Sequence, residues 1–385
     1  MVQGAETEPG VSDRRRATAT GLLPSQSLRA AVRDGWVPAE AALEDAQVQP
    51  ASIDLRLGAI AYRVRASFLS GPGATVAAKV DAMAMHTIDL TRGAVLERGC
   101  VYIVPLAERL ALPEDVGGIA NPKSSTGRLD VFARVITDHG AEFDQIPGGY
   151  TGPLYAEVSP RTFSVLVRTG SCLVQLRLRR GQPQYCESPP VVGPGGPAAP
   201  GDSDPGVDRR RALVTKGRAV TVDIRGDPAT GLIGYRARRH AGLIDVDRVG
   251  AYAPDEFWEP VRAGSHGGLI LDPNEFYILA SKEAVTVPED QAAEMVAYDT
   301  LLGEFRVHYA GFFDPGFGLT ETGATGARAV LEVRSHEVPF LIEDGQVVGR
   351  LWYERLTARP DRLYGRGIGS SYNRQGLALS KHFRR

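Results

Sequence analysis

The sequence repeats itself once at a constant distance, and this constrains the fold more than any other feature. Pro113-Glu-Asp115 returns as Pro288-Glu-Asp290, 175 residues on. The same displacement carries Gly93 to Gly268, Leu96 to Leu271, Tyr102-Ile103 to Tyr277-Ile278, Glu157 to Glu332 and Gly170 to Gly345. Chance matches do not hold one register over roughly eighty residues, whereas a duplicated domain must, because each copy buries the same faces and turns at the same points. The period is too long for a solenoid unit. The chain is therefore read as two tandem copies of one domain.

Both copies read as β. Gly and Pro number 44 and 26 among 385 residues, above their usual combined share of about 12%, which favours short strands between many turns. Val101-Tyr-Ile-Val104 is a continuous apolar run fit for a buried strand, and Cys172 to Leu178 alternates in part, as a half-buried strand does. A short helix is expected near residue 25, with Ser25 as its cap, Leu28, Ala31 and Val32 on one face and Gly35 as its stop. Residues 189–206 hold eleven Gly or Pro in eighteen, a composition that leaves no regular element. The expected plan is a disordered arm at 1–20, a first domain at 21–185, a Gly/Pro-rich linker at 186–212 that includes the solvated basic cluster Arg209-Arg-Arg211, and a second domain at 213–385.

The charge balance narrows the partners. Forty-four basic against 46 acidic residues leave a net charge of −2, too little to steer the chain to nucleic acid or an acidic membrane. No apolar run approaches the ~18 residues of a membrane span, and Arg14, Arg15 and Arg16 precede no apolar stretch of the secretory kind. Cys100, Cys172 and Cys186 cannot build a disulfide framework. A reducing cytoplasm is the expected location.

Three segments can carry chemistry. Asn121-Pro-Lys-Ser-Ser-Thr-Gly-Arg128 gathers hydroxyls, Lys123 and Arg128 in one turn, a set that suits a polyphosphate. Its glycine spacing is not that of a Walker A loop, and a solvated loop is the plain alternative. Glu157 and its repeat partner Glu332 each interrupt an apolar strand pattern, where a charge must be paired or exposed in a cleft. Each is either a salt-bridged strand residue or a general base. Tyr364-Gly-Arg-Gly-Ile-Gly-Ser-Ser-Tyr-Asn-Arg-Gln-Gly376 can close over phosphates or can simply fray. No histidine has a glutamate two residues on and no two cysteines stand three apart, so the motif of zinc nucleobase deaminases is missing.

Read in order, these segments resemble the 2′-deoxycytidine 5′-triphosphate deaminase family in its long two-domain bacterial form. Gln49-Pro-Ala-Ser-Ile-Asp-Leu-Arg-Leu-Gly58 is similar to its amino-terminal signature, and Lys123-Ser-Ser-Thr-Gly-Arg128 resembles its Arg-Ser-Ser-x-x-Arg motif with Lys in first place. Leu154-Tyr-Ala-Glu157 stands where its catalytic glutamate strand is expected, and Tyr364 with Tyr372-Asn-Arg-Gln-Gly376 resembles its phosphate-covering tail. Gly234-Tyr-Arg-Ala-Arg-Arg-His240 with Ile244-Asp-Val-Asp-Arg248 looks specific to the long form. The resemblance implies two dUTPase-like distorted β-barrels of jelly-roll type, homo-oligomers that are commonly trimers, and the reaction dCTP + water → dUTP + ammonia, which feeds dUMP and dTTP synthesis.

By the same resemblance Glu157 is the general base, Ser124 and Arg128 position water and nucleotide, and Lys123, Ser125, Tyr364, Tyr372 and Gln375 bind substrate. The expected metal is Mg²⁺ carried by the triphosphate, with no zinc. The second copy departs from the motif: Ser124, Ser125 and Arg128 fall on Asp299, Thr300 and Gly303. Yet Glu332 remains, and Asp314-Pro-Gly-Phe-Gly318 resembles the family's base-facing hairpin better than residues 139–152 do. A second-copy or composite site at Glu332 and Asp314 is thus the alternative. A dUTP diphosphatase, alone or joined to the deaminase, is the rival activity, with Asp138, Asp144 or Asp314 as water activator. A silent nucleotide-binding protein is the further rival.

Overall fold

The computed structural model describes residues 19–186, 217–264, 267–297, 305–307, 311–320, 323–324, 326–335, 337–365 and 376–384, with two short strands at 192–193 and 196–197. The described residues are mostly β, with four short α-helices and one 3-10 turn. No described helix is long and apolar enough to cross a membrane.

The duplication appears as repeated strand pairing. Val101–Ala111 pairs with Thr151–Pro160, and Phe276–Val285 pairs with Ala327–Ser335. Cys172–Arg180 pairs with Val116–Pro122 and Ile53–Arg56, and Val347–Arg355 pairs with Gln291–Ala297 and Arg218–Thr221. Glu157 stands opposite Ile103 and Glu332 opposite Ile278, so the two glutamates hold one strand position. The turns repeat as well. Val116 N donates to Pro113 O (3.0 Å) and Gln291 N to Pro288 O (3.2 Å), closing the Pro-Glu-Asp turn in both copies. Gly170 and Gly345 both take a positive φ, +89° and +84°, a conformation that costs glycine least. The Tyr102 hydroxyl accepts from Glu97 N (2.9 Å) and the Tyr277 hydroxyl from Asp272 N (3.1 Å).

Three local expectations need correction. Helix Ser25–Arg33 buries Leu28 and Ala31, but its cap position is Pro24 and makes no side-chain cap. Ser25 is the first helical residue, and its hydroxyl donates to Asp361 Oδ1 (2.5 Å) instead. Strand Cys172–Arg180 is covered on both faces, with Gln175 and Arg177 buried, because the second copy packs over what the alternation marks as a solvent face. Within 189–206, Val192–Gly193 and Gly196–Pro197 form a small ladder, and Val192 pairs with Ala284. Residues 1–18 of the arm expected at 1–20, and the Arg209-Arg-Arg211 cluster, lie outside the described residues.

Two large cores hold the molecule. One lies within the second copy, around Tyr277, Leu279 and Leu331. The other fills the first copy and continues into second-copy residues such as Ile244, Trp258, Phe276 and Phe383. The Ile244–Asp245 segment adds in parallel to Val165–Val167, and Arg168 forks onto Asp245 with two 2.7 Å hydrogen bonds. Burial of shared apolar surface, at about 25 cal/mol per Å², makes the two copies one packed body.

Candidate active site

The phosphate-suited turn is rigid because it is tied to the strand behind it. Ser124–Gly127 form one helical turn entered from Lys123. Lys123 N and Thr126 Oγ1 both donate to Leu173 O at 2.9 Å, and Arg128 N donates back to Ser124 O at 3.1 Å. Ser124 is half-buried, whereas Ser125 and Arg128 are buried. Lys123 is ion-paired with Asp54 of the amino-terminal signature, so its charge is already partly balanced.

Arg128 crosses to the other copy. Its Nε lies 3.8 Å from Oε1 of Glu332, with both side chains under a tenth exposed. Two residues further along each segment the signs reverse: Asp130 pairs with Arg334, again buried. Thr162 Oγ1 donates to Asp130 Oδ2 (2.5 Å) and accepts from Arg334 Nη2 (2.8 Å). Two opposed pairs side by side balance four buried charges, any one of which would be costly alone. Burial pushes the Glu332 carboxyl up to about 7, and Arg128 acts in the opposite direction. A carboxyl in that range can take a proton and return it at neutral pH.

Glu157 has different partners. Its Oε1 accepts from Arg134 Nη2 (2.5 Å) and its Oε2 from Ser67 Oγ (2.6 Å). The Arg134 guanidinium also lies over the Phe143 ring, 3.7 Å from its centroid. Both oxygens of this 2% exposed side chain are engaged within the first copy. Within the chain, the carboxylate that Arg128 faces is Glu332, and Glu157 is paired with Arg134.

The hairpin expected to face a base is also held from the other copy. Asp314 is buried, and Arg177 Nη2 donates to its Oδ1 (3.1 Å) and to Phe313 O (3.0 Å), while Arg177 Nη1 donates to Ala293 O (2.9 Å). The Arg177 guanidinium stacks 4.0 Å from the Phe312 ring centroid. Phe313 and Phe317 meet edge to face at 5.0 Å, and Tyr364 leans on Phe317 at 5.7 Å with its N–H on Pro315 O (2.9 Å). Tyr372 and Gln375, and the second-copy positions Asp299, Thr300 and Gly303, lie outside the described residues. A cavity of about 400 Å³ lined by Glu114, Gly117, Gln145 and Arg179 contains none of the candidate residues.

Sequence reasoning gave no functional role to Asp130, Arg334 or Arg177. For Arg334 and Arg177 the signal was a charge inside an apolar strand pattern, the same signal that singled out the two glutamates, whereas Asp130 lies in a turn and carried no such signal.

These features define a duplicated β protein in which a buried guanidinium of one copy faces a buried carboxylate of the other. A family model described as the 2′-deoxycytidine 5′-triphosphate deaminase (DCD) N-terminal domain matches residues 19–182, and its C-terminal counterpart matches residues 203–383. The chain belongs to the 2′-deoxycytidine 5′-triphosphate deaminase family. It is similar to the crystal structure of 2′-deoxycytidine 5′-triphosphate deaminase from Agrobacterium tumefaciens, at 53% identity and a TM-score of 0.79, over 88% of this chain and 99% of that one. It is also 34% identical over 151 residues to a dCTP deaminase, dUMP-forming, of Beutenbergia cavernae, which covers 37% of this chain and 74% of the relative. A dCTP deaminase, dUMP-forming, of Parafrankia sp. is 33% identical over 169 residues, covering 43% and 77%.

Proposed function

We propose that this chain hydrolyses dCTP to dUTP and ammonia at a composite site, with Glu332 of the second copy as general base and the Ser124–Arg128 turn of the first copy opposite it. The observation that carries this reading is the buried approach of Arg128 to Glu332 at 3.8 Å. Water attacks C4 of cytosine. Glu332 takes one proton from the water and passes it to N3, then takes the second from the resulting C4 hydroxyl and passes it to the amine, so the C4–N bond breaks, ammonia leaves and the ring gains a carbonyl. Arg128 favours the ionised carboxylate before attack, and it is already oriented, which avoids reorganisation at the moment of reaction. Ser124 and Ser125 sit on the same fixed turn, close to where a nucleotide reaching Glu332 would lie. With Lys123, Tyr364, Tyr372 and Gln375 they form the substrate-binding set. Mg²⁺ belongs to the triphosphate as part of the substrate, and remote phosphate binding orients the base.

Glu157 is assigned a structural role, supported by its closed set of partners. Each copy is read as a dUTPase-like barrel, with domains at 21–185 and 213–385, and three chains are expected to assemble; light scattering on the purified chain checks that number. The decisive experiment is product analysis with dCTP: ammonia and dUTP in equal amounts support the proposal, and no ammonia release rejects it.

Relatives named dUMP-forming favour a second reading in which dUTP is carried on to dUMP. The three aspartates considered for that step are all engaged. Val76 N donates to Asp138 Oδ1 and Val135 N to Asp144 Oδ1, each at 2.7 Å, and Asp314 pairs with Arg177. Pyrophosphate release, measured in the same assay, decides between the readings.

A further inference from the structure

The carboxy-terminal segment returns to the first copy and grips the turn that carries Arg128. Arg128 Nη1 donates to Ala378 O (3.1 Å) and Leu379 O (3.5 Å). One residue on, the buried Ser380 Oγ donates to Ser125 O (2.8 Å) and lies 2.8 Å from Nδ1 of His382. The His382 Nε2 is 2.8 Å from Val246 O. A carbonyl oxygen only accepts, so the ring proton belongs on Nε2 and Nδ1 is left as an acceptor. The Ser380 hydroxyl is then shared between the imidazole and the Ser125 carbonyl. Ser380 and His382 are each 2% exposed, and Phe383 beyond them packs 5.9 Å from Trp258 and 5.4 Å from Phe257, centroid to centroid. The segment is thus fixed at its far end by apolar packing and at its near end by three hydrogen bonds to the turn.

The geometry fixes the direction of the guanidinium. With Nη1 committed to two tail carbonyls, a planar Arg128 has its Nε edge available to Glu332. We propose that Ser380, braced by His382, is a positioning residue for the reaction: it locks the tail carbonyls and the Ser124–Gly127 turn together so that Arg128 presents Nε to Glu332. This rests on the deaminase reading given above, in which Glu332 is the base.

The test uses Ser380→Ala and His382→Gln in the full-length chain, with steady-state dCTP kinetics across pH and a carbon-13 carboxyl titration of Glu332, assigned by loss of its signal in Glu332→Gln. The expected result is a kcat about ten- to a hundredfold lower with KM changed by less than about threefold. The Glu332 midpoint and the acid limb of kcat/KM should both move to higher pH, because a displaced Arg128 no longer favours the ionised carboxylate. Unchanged kcat and an unmoved midpoint overturn the proposal. So does a lower kcat with an unmoved midpoint and a reduced melting temperature, which marks a merely structural anchor. If Ser380→Ala does not fold, His382→Gln, which keeps the serine, decides the matter by the same two readouts. The carboxyl titration reads the anchor even if dCTP is not the substrate, so failure of the anchor and failure of the deaminase reading are told apart.

Discussion

Arg128 and Glu332 face each other at 3.8 Å although one belongs to the amino-terminal copy and the other to the carboxy-terminal copy. Neither copy alone holds both members of the pair. Duplication here has the physical consequence that two equal strand positions, Glu157 and Glu332, have unequal surroundings: an arginine from its own sheet for one, an arginine from the neighbouring copy for the other.

Glu332→Gln should keep dCTP binding and lose about 10²- to 10⁴-fold in turnover, the usual reach of a general base. Glu157→Gln should retain turnover within about tenfold, yet melt at a lower temperature because Arg134 loses its carboxylate. Steady-state assays and thermal melts on both variants check this. An inactive Glu157→Gln beside an active Glu332→Gln would reverse the assignment.

The pH dependence follows from a carboxyl raised by burial to about 7. The base must be ionised, so kcat/KM should rise with pH and level off above about 7. Arg128→Ala removes the opposing cation and should shift that limb further up, which a pH–rate profile measures. Stability has the opposite sense. Between the ordinary value of 4.5 and about 7, the unfolded chain gives up this proton while the folded chain keeps it. Glu332 therefore contributes a fall in stability with rising pH in that window, and Glu332→Gln should remove that slope from denaturant titrations.

Arg177→Met should cost about 3–5 kcal/mol, the range for breaking a buried pair from one side. It leaves Asp314 and two carbonyls without their donor. A double-mutant cycle with Asp314→Asn should show coupling, since the residues touch. Additive losses would place the cost in packing against Phe312.

Gly318→Ala should disrupt the Asp314–Gly318 hairpin. Its φ is +72°, and an added Cβ would stand 2.3 Å from Val285 O. The strained backbone alone costs of order 1–3 kcal/mol, so a lower melting temperature and a raised KM for dCTP are expected together.

Much of the fold was legible in the residues. The constant displacement marked the duplication, and the strand pairs, the Pro-Glu-Asp turns and the Gly170 and Gly345 turns follow it, because ladder register and turn chemistry are local properties with a period of two and fixed turn positions. The same locality explains what was missed. Strand Cys172–Arg180 looked half-exposed because alternation records that a face is polar, and not that Arg177 on that face is covered by another copy. The cap role given to Ser25 failed because a distant carboxylate, Asp361, competes for its hydroxyl.

The residues by themselves determined the two-copy plan, the turn rich in hydroxyls and cations, and the two glutamates at one strand position. Only the tertiary structure decided which glutamate Arg128 meets. That choice depends on how the copies pack through their shared core and the parallel Ile244–Asp245 contact, and a buried ion pair is set by separations of a few ångströms in space that no spacing along the chain encodes.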